Sequence, residues 1–208
     1  LANLTAYAYL LDLQRASADA GSTNTYGASI EGSKAVGKAK LGYYLEFARQ
    51  DNAARSTTSY NANYYHVKGT AKIQNVTVGV AREVLGNGNG FGFSTPLATL
   101  HKWDGFADKF LTTPADGIED NYVLAAVPLP WGVKLKAFIH HFHAESGKNS
   151  YGHEYDVVLA KEFPRGIKAL VKGMFYEADD NAPNFALTDT SKVALQLEYR
   201  WPPNPKKR

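Results

Sequence analysis

The chain has 208 residues, 23 basic and 20 acidic, and a net charge of +3 at pH 7, too balanced for a nucleic-acid partner to be expected. Without cysteine there are no disulfides or thiolate metal sites, and no run of about 18 apolar residues is present to form a spanning helix. Tyrosine, phenylalanine and glycine are abundant with no long apolar block, which suits β-strands that are apolar on one face only.

Taken in chain order, period-two alternation predicts about ten strands. They fall near residues 4–14, 25–36, 38–50, 61–73, 76–85, 120–129, 132–144, 152–163, 167–178 and 190–201. In the third, Leu41, Tyr43, Leu45 and Phe47 oppose Lys40, Tyr44 and Glu46. In the seventh, Val133, Leu135, Ala137 and Ile139 oppose Lys134, Lys136, Phe138 and His140. The eighth sets Tyr155, Val157 and Leu159 against Glu154, Asp156 and Val158. In the last, Val193, Leu195, Leu197, Tyr199 and Trp201 oppose Lys192, Gln196, Glu198 and Arg200. Such strands exceed the usual length in globular sheets and match the roughly 9–11 residues of a tilted strand crossing a bilayer.

The links between strands alternate between short turns ("VGK", "IQN", "LPWG", "PRG") and longer loops. That is the pattern of an up-and-down membrane barrel, in which closure pairs every backbone group. A soluble antiparallel barrel also alternates, but its interior is apolar. Here the face opposite the apolar one carries Lys, Glu and His. Aromatics near strand ends (Tyr43, Phe47, Tyr64, Tyr65, Tyr122, Tyr155, Phe175, Tyr199, Trp201) read as interfacial girdles. The expected fold is therefore an all-β transmembrane antiparallel barrel, a single domain over residues 1–201 with a tail at 202–208. The chain starts at Leu1 with no signal peptide in view, which fits a processed mature protein or a fragment.

The polar face gives the pore-lining candidates Lys38, Lys40, Glu46, Lys68, Lys72, Glu83, Lys134, Lys136, Glu154, Asp156, Lys168, Lys172 and Arg200. Lysines such as Lys38, Lys40, Lys72, Lys134, Lys136 and Lys168 lie near the short turns, and the acids Asp12, Glu46, Glu83, Glu154 and Asp156 nearer the long loops. A charged ring in a low-dielectric channel selects ions by sign. The alternative is plain cross-strand pairing of solvated charges, each worth roughly 0.2–1 kcal/mol.

One loop departs from the rest. "GNGNGFGFSTPLATLHKWDGFADKFL", residues 86–111, is glycine-rich and then helix-like. Ser94 or Thr95 can cap a short helix with Pro96 in its first turn. Leu97, Leu100, Phe106 and Phe110 would anchor it, leaving His101, Lys102 and Asp104 toward water. His101, Lys102, Asp104, Asp108 and Lys109 are the constriction candidates if the loop enters the lumen. The alternative is an external cap over the rim. A dinucleotide-binding reading of "GNGNGFG" fails for want of a βαβ context. "HHFH" places His141 and His143 on one face with His153 nearby, but His140 points the other way and no carboxylate pattern completes a catalytic zinc set. The expectation is rim histidines, with no metal, cofactor or catalytic residue.

"TPLATLHKWDGFADKFL", followed by "LPWGVKLKAFIHHFHAE" and "LQLEYRW", resembles the C-terminal region of Gram-negative outer-membrane porins of the alginate-export type, over residues 86–201. "VALQLEYRW" resembles the terminal strand that barrel-insertion machinery recognises, although "PPNPKKR" follows it. The resemblance implies an outer-membrane location, lipid contact, and passive passage of small or anionic hydrophilic solutes. Family members are about twice this long, so it also implies the C-terminal half of a larger barrel or a shortened relative. The competing expectation is a non-conducting structural or interaction barrel, since ten strands closed alone would fill with side chains.

Overall fold

The computed structural model describes residues 2–13, 21–53, 56, 59–96, 104–180 and 182–201. Ten long strands form one sheet and follow one another in chain order, each antiparallel to the next. They are β1 (Ala2–Leu11), β2 (Thr23–Val36), β3 (Ala39–Asn52), β4 (Asn61–Ile73), β5 (Val76–Leu85), β8 (Ile118–Pro128), β9 (Val133–His143), β10 (Ser150–Glu162), β11 (Ile167–Ala178) and β12 (Thr190–Tyr199). A small hairpin, β6 (Asn87–Gly88) and β7 (Phe91–Gly92), projects from the loop between β5 and β8. Each predicted strand is present, with ends moved by up to three residues. The hairpin was not predicted, because strands of two residues carry no periodicity.

Turn chemistry fixes the register. The β2–β3 turn uses Gly37 at φ 58°, and the β4–β5 turn places Gln74 at φ 53°. The β8–β9 and β10–β11 turns begin with Pro130 and Pro164 and end in positive-φ pairs, Trp131–Gly132 and Arg165–Gly166. Long connections stand at the opposite end of every strand pair, as the alternation of link lengths predicts.

Because side chains alternate strictly across a strand, the ladders assign every residue to a face. Across β3, β4, β5, β8, β9 and β10, Glu46 faces His66, His66 faces Glu83, Glu83 faces Asp120, and Tyr122 faces His140, which faces Glu154. All of these belong to the polar face. The other face is an apolar band that includes Leu41, Leu45, Val67, Val78, Val80, Val123, Ile139, Val157 and Val171, all exposed. Exposed apolar surface this continuous marks a lipid or protein contact. Tyr64 and Tyr122, expected in a girdle, instead sit on the polar face. Tyr64 donates to Glu83 at 2.6 Å, and Tyr122 bonds His66 at 3.1 Å. One position along the strand separates them from the apolar face, as it separates Tyr64 from its true girdle neighbour Tyr65.

Among the described residues no ladder joins β1 to β12. Their outward side chains show the consequence. Leu195 and Leu197 are 81% and 79% exposed, whereas Leu41 and Leu45 in mid-sheet are 44% exposed. The sheet thus has two unpaired edges, each with free backbone donors and acceptors.

Candidate functional site

The described parts of the loop after β7, residues 93–96 and 104–117, lie on the polar face and are held at three places. At β3, Gln50 clamps Ser94: its Nε2 donates to Ser94 O at 2.8 Å, and Ser94 N–H donates to its Oε1 at 2.7 Å. Tyr60 and Thr25 complete the amide's partners at 3.0 and 2.9 Å, so the side chain is a fully satisfied buried connector.

At β10, the N–H groups of Phe106 and Ala107 both donate to Glu154 Oε1, at 2.5 and 2.6 Å, and Phe106 N–H also lies 3.3 Å from Asp156 Oδ2. This approach is close enough to need Gly105. Its φ is +86°, and a Cβ there would lie 2.5 Å from Glu154 Oε2. At β12, Lys192 donates to Ala107 O and lies 3.4 Å from Asp108 Oδ2. Lys109 Nζ reaches Thr188 O at 2.9 Å and Thr190 Oγ1 at 3.0 Å.

Apolar contacts finish the anchor. Phe110 packs among Phe142, Tyr151, Tyr176 and Phe185, at ring separations of 4.7 to 6.3 Å. Phe106 rests against Phe138 at 5.5 Å. The buried cluster of the protein is therefore the loop against the polar face, and includes Phe93, Phe106, Ala107 and Phe110 from the loop.

Phe106 and Phe110 are anchors as the sequence predicts. Asp104 is a correction: expected toward water, it is buried to 7% exposure. The positive φ of Asp104 and Gly105 turns the chain down onto the sheet, beside Glu83 and Asp120. Burial first, then those two carboxylates, hold the Asp104 carboxyl well above its ordinary range. Asp108 and Lys109 are half-buried and bonded to β12 or its leading loop. His101, Lys102 and the helix over Leu97 and Leu100 lie outside the described residues, as does the tail 202–208.

Around this anchor runs a polar network that the sequence reading largely missed. His140 Nδ1 lies 2.8 Å from Asp120 Oδ2, and its Nε2 is 3.6 Å from Asp156 Oδ2. Glu46 accepts from Tyr7 at 2.7 Å and also from Tyr44. Asp120 and His66 are not among the candidates, and His140, expected with the other "HHFH" histidines at the rim, is instead buried on the polar face at 4% exposure. Asp120 lies inside the predicted strand, two residues before Tyr122 and so on its face, and the girdle assignment of Tyr122 turns both toward lipid.

Toward the short turns the same face changes sign. Lys40 and Lys72 stand directly opposite each other, and Lys68 lies over the Tyr44 ring at 5.2 Å. Lys136, Val158 and Lys172 are successive ladder partners. Lys134 and Lys168 pair with Glu162 at 3.4 Å and Glu198 at 3.0 Å. Lys38 sits in the β2–β3 turn, and Arg200 just past β12 donates its backbone N–H to Gly166 O. Between the loop and β1–β5 lies a cavity of about 520 Å³, lined by Tyr7, Glu46, Gln50, Tyr64, Glu83 and Asp104 among others.

An all-antiparallel sheet of ten long strands with an outward apolar face and short and long links in alternation is the wall of an up-and-down transmembrane β-barrel. The solved structure of OccAB4 from Acinetobacter baumannii, an outer-membrane β-barrel porin, has this fold, with a TM-score of 0.68 at 13% identity. The match covers 95% of this chain and 49% of that one, so the chain spans about half the length of OccAB4. No protein-family model and no curated protein matches the sequence.

Proposed function

We propose that this chain is part of the wall of a Gram-negative outer-membrane porin, a passive channel for small hydrophilic and chiefly anionic solutes. The observation that carries the reading is the division of labour between faces. One is apolar throughout its middle, while the other is polar, changes from acidic to lysine-rich along its length, and is crossed by one anchored loop. A wet, charged path enclosed by lipid needs that combination.

The unpaired edges of β1 and β12 support a barrel with more strands than these, because an open edge leaves backbone groups unsatisfied in lipid. About eight further strands would bring the total into the range of 16–18 found for aqueous porin channels. The likeness to OccAB4 supports the barrel, and the sequence resemblance over residues 86–201 supports the narrower alginate-export-like reading. On this reading the short turns are periplasmic, the loop from 86 to 117 narrows the lumen, and the alternate residues ending at Trp201 serve recognition by the insertion machinery.

A salt gradient across a planar bilayer tests it. The whole protein is expected to give a reversal potential that favours anions, and the Lys40→Glu, Lys72→Glu double variant to shift it toward cations. Discrete conductance with no change of selectivity in that variant would remove the lysine role. Absence of conductance would favour a non-conducting structural barrel.

A further inference from the structure

On the outward face, above the apolar band at the long-loop end, three histidines and one carboxylate converge. His153 stands directly across the β9–β10 ladder from His141. His143 is two residues along on the same face, its Nε2 3.0 Å from His141 Nδ1. The rings of His141 and His153 stack at 4.1 Å and 11°. The carboxylate comes from far away in sequence. Asp179 follows β11, and its backbone N–H donates to Tyr151 O at 3.1 Å, which seats it beside the start of β10. One donor atom from each of His141, His153 and Asp179 lies within 4.8 Å of the others.

This is the carboxylate that no local sequence pattern supplies. Side chains directly opposite on an antiparallel ladder have Cβ atoms about 4.5–5.5 Å apart. That spacing lets two imidazoles reach one ion by small ring rotations, at the roughly 2.0–2.1 Å of a zinc–nitrogen bond. The setting also favours a cation. Glu119 faces His143 and Glu177 faces His153 across their ladders, while Arg82 is engaged with Glu119 at 2.6 Å. All four converging residues are half-buried, so an ion would be reachable from water.

We propose that His141, His153 and Asp179 bind a divalent transition metal of the zinc class, with a further position open to water or an external ligand. Two imidazoles and one carboxylate are a donor set that zinc accepts in that open form. His143 is the outer partner, bonded to His141 and orienting its ring, as hydrogen-bond partners of metal-ligating histidines do. A bound ion would tie the loop after β11 to β9 and β10, and so fix the long-loop rim on this side of the sheet.

The test uses the whole, untagged protein, purified in detergent and stripped with a chelator. Titration with cobalt(II), the optical stand-in for zinc, is expected to saturate at one ion per chain with visible d–d absorption, and zinc is expected to displace it. His153→Gln and Asp179→Asn are each expected to weaken binding by at least the roughly 10- to 100-fold that loss of an outer partner alone costs. His143→Gln should have the smaller effect. Circular dichroism and heat-modifiable migration on gels show whether each variant is folded. A wild-type titration without saturable binding overturns the proposal with no variant needed. So does undiminished binding in a folded His141→Gln, His153→Gln double variant. Neither result bears on conductance.

Discussion

The two ends of the polar face are built from the same strands and differ in almost everything else. At the long-loop end Glu83, Asp120, Glu154 and Asp156 are buried with His66 and His140 beneath an anchored loop. At the short-turn end Lys40, Lys72, Lys134 and Lys136 are exposed. The contrast separates two jobs that the sequence runs together. Glu154 and Asp156 are occupied by the loop's backbone, whereas these lysines are exposed, Lys134 in an ion pair with Glu162, and the proposed function gives them the solute-facing role. Charge alone does not distinguish these roles; burial does.

Glu154 is where the contrast breaks most sharply. Its substitution by alanine removes the acceptor of the buried Ala107 N–H and leaves the Phe106 N–H only its longer contact to Asp156, which should cost about 3 kcal/mol of loop docking. Hydrogen exchange of the Phe106 and Ala107 amides reads this directly, as loss of protection confined to the loop while the strand ladders stay protected. Gly105→Ala meets both a positive φ and the Glu154 carboxylate, and should cost about 1–3 kcal/mol by the same readout. Gln50→Ala frees only the β3 end of the loop. It should cost about 1–2 kcal/mol, with increased proteolysis after Phe93 rather than near Phe106.

Asp104 gives the contrast a pH dependence. The docked loop holds a proton on a carboxyl whose affinity for it is raised by burial, Glu83 and Asp120; a released loop binds that proton only up to the ordinary aspartate value of about 4. Docking is therefore favoured below that pH and weakens as pH rises through it toward the raised value. Asp104→Asn should remove this part of the slope in the amide protection factors. The smallest effect on stability belongs to the other end. Lys40→Glu and Lys72→Glu should each change stability by no more than about 0.5 kcal/mol, while on the proposed function their effect on ion selectivity is expected to be the largest of any substitution here.

The strand ladder was legible because a face turned to lipid demands an apolar residue at every second position, and turn residues such as Pro164 and Gly166 mark the short ends. What lies under the loop was not legible from one sequence. Gln50 and Asp120 are polar residues on a polar face, and nothing local says that one of them clamps Ser94 and the other binds His140. Asp104 looked solvated for the same reason, since its burial depends on Gly105 bringing the chain against Glu154, which is distant in sequence. Asp179 completes a histidine cluster only once β9, β10 and β11 are side by side.

Single-channel conductance with and without the docked loop tests the central claim most directly. The whole protein is expected to give steps that grow in Glu154→Ala, with the hydrogen-exchange profile showing that only the loop has been released. Steps of equal size in a variant whose loop is demonstrably undocked would contradict a loop that narrows the path along the polar face.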